Sequence, residues 1–325
     1  VDGERARHRA ATAGGPMVAL VALAAVPILP LSGSQQRLAV SVCLFGMAAL
    51  GLTIVWGFCG QPSFGHAALT GVGAYTVAIL TVRHGMGGWA AVAASGGVGL
   101  VAGAAMGLPG LRVRADGLAL VTFALGEGLR VVEGNTAWTG GSQGLAGVAP
   151  LTSGGRVLLS ARDYYPVAAA LLAVAYLGAR WLRASPLGWS MLALGRDPVL
   201  AASLGVRAAP TKLAAWSMAG LLTGLAGGVS AAFSGFVSSV SFGVVQSFQL
   251  VVMVVLGGLG RPGGAVVGAM VVLALDDQLQ AHPAVRLGAT GAAMIAVVIV
   301  RSGAAADSGR AALLALRRSR PTAPA

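Results

Sequence analysis

Charge is scarce in this chain. Only 10% of its 325 residues are Asp, Glu, Lys or Arg, against about 25% in soluble domains. So few charges cannot cover the surface of a soluble protein this size, which excludes an ordinary soluble enzyme and a disordered chain. Lysine is nearly absent: Lys212 stands alone, after Ala-Pro-Thr rather than a glycine-rich loop. A phosphate-binding P-loop is therefore excluded. Cysteine is limited to Cys43 and Cys59. They have no CxxC spacing and no histidine partner, so they read as small buried hydrophobes rather than a disulfide or metal site. No HExxH, His/Cys cluster or Ser-His-Asp arrangement occurs, and no metal or catalytic residue is assigned.

Apolar residues and glycine fill the rest. Hydrophobic residues make up 56% of the chain, with 50 glycines besides. Apolar runs cover 17–31, 38–57, 63–82, 89–109, 117–133, 164–182, 212–233, 246–260, 264–276 and 286–301. A full span needs about 20 residues, so 17–31, 246–260 and 264–276 are short, and the last two read as a hairpin or a re-entrant pair. Arg5, Arg7 and Arg9 before 17–31 resemble a signal-peptide start, but Pro27 and Pro30 interrupt the run and no clear cleavage site follows. An uncleaved first span is expected.

The net charge of +12 does not point to nucleic acid, because the arginines sit in short clusters between apolar runs. With the N-terminus inside, 16 Lys and Arg fall on the cytoplasmic side and 5 outside, Arg130 lying within a span. This asymmetry supports about ten spans with both termini cytoplasmic. The expected fold is all-α: a polytopic membrane helical bundle. A basic cytoplasmic N-terminus (1–16) precedes a transmembrane domain (17–301) with a cytoplasmic segment at 183–211. A basic cytoplasmic tail (302–325) near anionic lipid ends it. The segment 134–163, rich in Gly, Thr and Ser, is expected outside.

Two glycine patterns predict packing. Ser95, Gly99, Gly103 and Gly107 recur every fourth residue, as do Gly220, Gly224 and Gly228, which lets helices approach closely. Gly57–Pro62 and Gly257–Pro262 share the pattern G-x-x-G-[Q/R]-P, as two similar turns would. Gly258, Gly260 and Gly263 match a dinucleotide fingerprint by spacing only, without the βαβ context it needs.

Three places carry polar chemistry. Glu127, Arg130 and Glu133 share one helical face, so Arg130 can pair with either acid. Such charges line a translocation path or form a satisfied ion pair near the outer interface. In Gly57–Tyr75 the glycines and Pro62 break the helix, and the unwound backbone can offer N–H groups to a carboxylate or simply turn between spans. Gln61, Ser63, His66, Thr122 and Glu127 are the candidate path residues. Finally, Ser185–Val206 reads as a short amphipathic element suited to a partner's groove or to the headgroup layer.

The run GQPSFGHAALTGVGAYTVAIL resembles the signature of the M-type permease subunit of branched-chain amino-acid ABC importers. LALVTFALGEGLRVV, TGGSQGL, SPLGWSMLALGRDPVLAASLGV, KLAAWSMAGLLTGLAGGVSAAF and VVLGGLGRPGGAVVGAMVV follow in the same order, so the likeness covers about 40–300. The resemblance implies a non-enzymatic permease subunit in the cell inner (plasma) membrane. It implies as partners a second permease subunit, two cytoplasmic ATPase subunits and an extracytoplasmic substrate-binding protein. No cofactor is implied in this chain, ATP being hydrolysed by the partners. The ATPase-coupling loop carries over to Ser185, Pro186, Gly188, Arg196, Asp197, Ala201, Ala202 and Gly205. Trp189 stands where the family commonly has a basic residue, and Val199 and Leu200 where it has an acid, so this surface is less polar than usual. Related importers carry urea or short amides, and a stand-alone secondary transporter is a third possibility.

Overall fold

The computed structural model describes residues 32–113 and 115–279, with isolated positions 288, 291 and 292. The apolar run 17–31, the basic N-terminus and the basic tail lie outside the described residues, as does 286–301 apart from those isolated positions. The chain divides into two compact units, Val1–Asp277 and Gln278–Ala325; the first is described below.

Among the described residues ten α-helices follow in chain order: α1 (Gly33–Leu52), α2 (His66–Val82), α3 (Gly88–Gly107), α4 (Ala115–Asn135) and α5 (Ala161–Ala184). Then come α6 (Pro186–Arg196), α7 (Pro198–Ser203), α8 (Ala208–Ser234), α9 (Val244–Gly257) and α10 (Pro262–Gln278). Several helices, α1 and α5 among them, start a few residues before their apolar runs. Ser32 and Ser160 each form a reciprocal capping box, opening α1 and α5. Among the described residues, 5 helical segments are long and apolar enough to cross a membrane: Gly33–Phe58, Gly88–Gly107, Ala161–Ala184, Ala208–Ser234 and Ser239–Gly257. α4 has the length but carries Glu127, Arg130 and Glu133.

α8 is the central helix, and its glycines thin it on several sides. A Cβ on Gly99 would lie 2.9 Å from the Gly224 Cα, and one on Gly103 2.9 Å from the Gly220 Cα. The two four-residue glycine stripes therefore meet each other, backbone to backbone. Gly73 of α2 packs on the Gly224 carbonyl, and Gly51 of α1 on the Ala219 backbone. With lipid as solvent, such contacts derive their strength from close van der Waals packing rather than water release. Trp216 is fully buried.

Two small antiparallel pairs brace one end of the bundle. In β2 (Thr152–Ser153) and β3 (Arg156–Val157), Thr152 pairs with Val157. Gly154 and Gly155 both take positive φ between them, as a two-residue hairpin turn requires. β1 (Leu145–Ala146) joins β4 (Phe236–Val237), tying 134–160 to the end of α8.

The opposite end gathers several turns. α9 and α10 form an antiparallel hairpin, Gly268 packing on the Met253 carbonyl and Gly264 on Gly257. This resolves 246–276 as two helices. The paired motifs also meet: a Cβ on Gly57 would lie 2.7 Å from the Gly260 Cα. Gly60 (φ 68) and Gly260 (φ 76), at equivalent motif positions, share the left-handed conformation.

Candidate functional site

α1 ends in one π-helical stretch, Thr53–Phe58, and helix resumes only at His66. Gly60 and Pro62 explain this break: Gly60 takes a left-handed φ of 68, and proline removes a donor. Gln61 is buried in it, with both ends of its amide used. Its Nε2 donates to the Gly110 carbonyl at 3.0 Å, and its Oε1 accepts from Trp216 Nε1 at 2.8 Å. Lys212 Nζ donates to the same carbonyl at 2.9 Å. The turn at 109–111, the break and α8 are thus joined through one carbonyl and one side chain.

Ser63, His66 and Thr122 complete this buried cluster. Ser63 Oγ lies 3.2 Å from His66 Nδ1, and the His66 ring faces Trp216 at 5.9 Å. His66 Nε2 has no partner among the described residues. Thr122 Oγ1 accepts from the Phe64 N–H at 3.2 Å and donates to the Ala119 carbonyl at 3.0 Å. The N–H groups of Gly60 and Gln61 bond to Trp56 and Val55 carbonyls, and that of Ala67 to Ser247 Oγ. The N–H groups of Gly60, Gln61 and Phe64 in the break are therefore occupied within the chain.

Four of the candidate path residues, Gln61, Ser63, His66 and Thr122, come together in this way. Glu127 does not join them. It lies further along α4, half-buried, accepting from Arg130 Nε. Glu133, two turns from Glu127, is only 5% exposed, and one of its carboxylate oxygens has no partner among the described residues. Tyr75 OH on α2 is buried and likewise without a hydrogen-bond partner among them. Sequence reading missed Trp216 and Tyr75. Both look like ordinary apolar-face aromatics, and no local pattern links Gln61 to a residue 155 positions away.

The segment after α5 is built as a small rigid element. Ser185 caps α6, its Oγ accepting from the Gly188 N–H at 3.2 Å, and Pro186 starts the helix where no N–H is needed. Gly188 packs on the Leu182 carbonyl, where a side chain would collide. Asp197 Oδ1 accepts from Val199 and Leu200 N–H groups at 2.9 and 3.0 Å, capping α7. Gly205 (φ 86) ends α7, Ala201 is buried and Ala202 exposed. Arg196 is exposed at the end of α6. Trp189, Val199, Leu200 and Leu204 are also exposed, Val199 at 80%. Beside them, Leu187, Ser190, Leu204, Arg207 and Thr211 border a cleft of about 490 Å³.

A bundle of long apolar helices, one of them broken, with a capped helical element between two long helices, is consistent with an all-α integral membrane permease. The family described as "Branched-chain amino acid transport system / permease component" matches residues 35–298, and the chain belongs to it. It is similar to the high-affinity branched-chain amino acid transport system permease protein LivM of Salmonella typhimurium. The two are 29% identical over 309 residues, covering 88% of this chain and 72% of the relative. LivM of Escherichia coli is also 29% identical, covering 88% of this chain and 73% of its own length. No solved structure matches.

Proposed function

We propose that this chain is one permease subunit of an ATP-driven importer for branched-chain or other apolar amino acids. The observation that carries the reading is the family match across 35–298, with relatives whose names specify branched-chain amino acid transport. In this reading the chain sits in the cell inner membrane and forms half of the path. A second permease subunit forms the other half. Two cytoplasmic ATPase subunits supply the energy, and an extracytoplasmic binding protein delivers cargo. The chain itself performs no catalysis and needs no cofactor.

The orientation follows from the arginines. Arg112, Arg183, Arg196, Arg207, Lys212 and Arg261 belong to the end that holds α6, α7 and the paired glycine turns. By the positive-inside rule that end is cytoplasmic. The α6–α7 element then meets the ATPase pair, whose closure on ATP pulls the element and rocks the bundle between outward and inward openings. Its capped termini let it transmit such a pull as a rigid piece, with Ser185, Pro186, Gly188, Arg196, Asp197, Ala201, Ala202 and Gly205 setting its shape. Gln61, Ser63, His66 and Thr122 hold the helix break beside the path, and Glu127 faces the path.

A pull-down from native membrane in mild detergent tests the assembly. Stoichiometric recovery of a second permease and ATPase subunits is expected. A chain recovered alone at every detergent strength would overturn the reading.

A further inference from the structure

α4 carries an acid–base–acid series, Glu127, Arg130 and Glu133, at every third residue. Arg130 Nε donates to the Glu127 carboxylate, and the two side chains remain 31% and 30% exposed. Around them the outward side of α4 is apolar or small: Leu120, Ala124, Gly128 and Val131 are exposed. α4 has the length to cross a membrane, and a part-exposed ion pair on such a helix is costly against lipid. Such residues face a bundle interior or a water-filled cavity.

The neighbours sharpen this. Arg130 lies against the start of α9, where a Cβ on Gly243 would stand 3.4 Å from Arg130 Cδ. That helix start has no side-chain cap, so its first N–H groups have no partner within the helix. They add a second electropositive feature beside the guanidinium. Glu133 lies beneath, 5% exposed, with one oxygen unpartnered among the described residues. Gly71 of α2 leaves it room, since a Cβ there would come within 3.2 Å of both carboxylate oxygens.

We propose that Glu127, Arg130 and Glu133, with the start of α9, form a subsite for a zwitterionic α-amino acid. The carboxylate pairs with the Arg130 guanidinium and the first N–H groups of α9. The ammonium pairs with Glu127 and Glu133. Binding exchanges the resting Arg130–Glu127 pair for two pairs with the cargo and leaves the net charge of the site unchanged. Uncharged urea or an amide has nothing to exchange. The inference rests on the amino-acid importer reading and gives Arg130 and Glu133 a direct part in it.

The test uses the assembled complex with its binding protein in proteoliposomes, following labelled leucine. Glu127→Gln and Arg130→Gln each lower the maximal uptake rate about tenfold, while the ATPase and permease partners still co-purify. The concentration giving half-maximal rate stays near wild type, because the binding protein sets it. Arg130→Lys keeps the charge but loses the two-pronged geometry, and falls in between, about threefold. A double variant, Glu127→Gln with Arg130→Gln, that carries leucine at the wild-type maximal rate would overturn the proposal, since the pair would then be structural only. If the Gln variants fail to assemble, Arg130→Lys at the full wild-type rate overturns it equally. A wild-type complex that carries a neutral amide but no zwitterion would overturn both this inference and the importer reading.

Discussion

Gln61 shows how a single side chain can hold separated parts of the bundle. Its amide donates to Gly110 and accepts from Trp216, in surroundings where an unpaired polar atom costs about 1–3 kcal/mol. Gln61→Leu strands the Trp216 N–H while Lys212 still serves Gly110. The expected loss is about 2 kcal/mol, read as a lowered unfolding midpoint in detergent. Gln61→Leu at wild-type stability would show that the bond to Trp216 contributes nothing. Sequence alone marked Gln61, Ser63 and His66 as unusual polar residues beside a broken helix, because glycine and proline advertise the break locally. It could not reveal Trp216 as partner, since that contact exists only after α8 has packed. Nor could it separate Glu127, half-exposed and paired, from the buried Thr122 on the same helix.

Helix packing follows the glycines. The stripes on α3 and α8 were legible because a four-residue period places small residues on one face whatever the fold. That they face one another is a fact of topology. Gly103→Leu forces a side chain into the backbone of Gly220 and is expected to destabilise by about 3 kcal/mol. Gly97→Ala, on the same helix with open space around it, is expected to be neutral or stabilising by up to about 1 kcal/mol. Thermal unfolding of the two variants side by side checks the assignment, and equal effects would contradict it. The α6–α7 element rests on caps. Asp197→Ala removes the acceptor for the Val199 and Leu200 N–H groups and should weaken α7 by about 1 kcal/mol. ATP-driven uptake is expected to fall while the bundle keeps its unfolding midpoint. A fall in the midpoint with unchanged uptake would place Asp197 in the core rather than the coupling element. The small strands at 145–157 and 236–237 were not legible, because two-residue pairs leave no periodic pattern and depend on a partner far along the chain.

At the scale of the whole molecule, the class was readable from composition: scarce charge, long apolar runs and clustered arginine admit little besides a polytopic helical bundle. Among the described residues the helices emerged near the expected apolar runs, and 246–276 became a hairpin because Gly257, Gly264 and Gly268 let two short helices close on each other. Exposed Trp189, Val199, Leu200 and Leu204 stand where a soluble partner would bury them. Leu200→Glu is expected to cut recovery of ATPase subunits at least about tenfold while the second permease still co-purifies. Undiminished ATPase recovery would move the docking surface elsewhere. The central claim is that this chain is a passive half of an ATP-powered path. The most direct measurement is leucine uptake by proteoliposomes holding this chain alone, or this chain with its permease, ATPase and binding-protein partners, with and without enclosed ATP. Uptake only in the full set with ATP is predicted. Gradient-driven uptake by the chain alone would contradict the account.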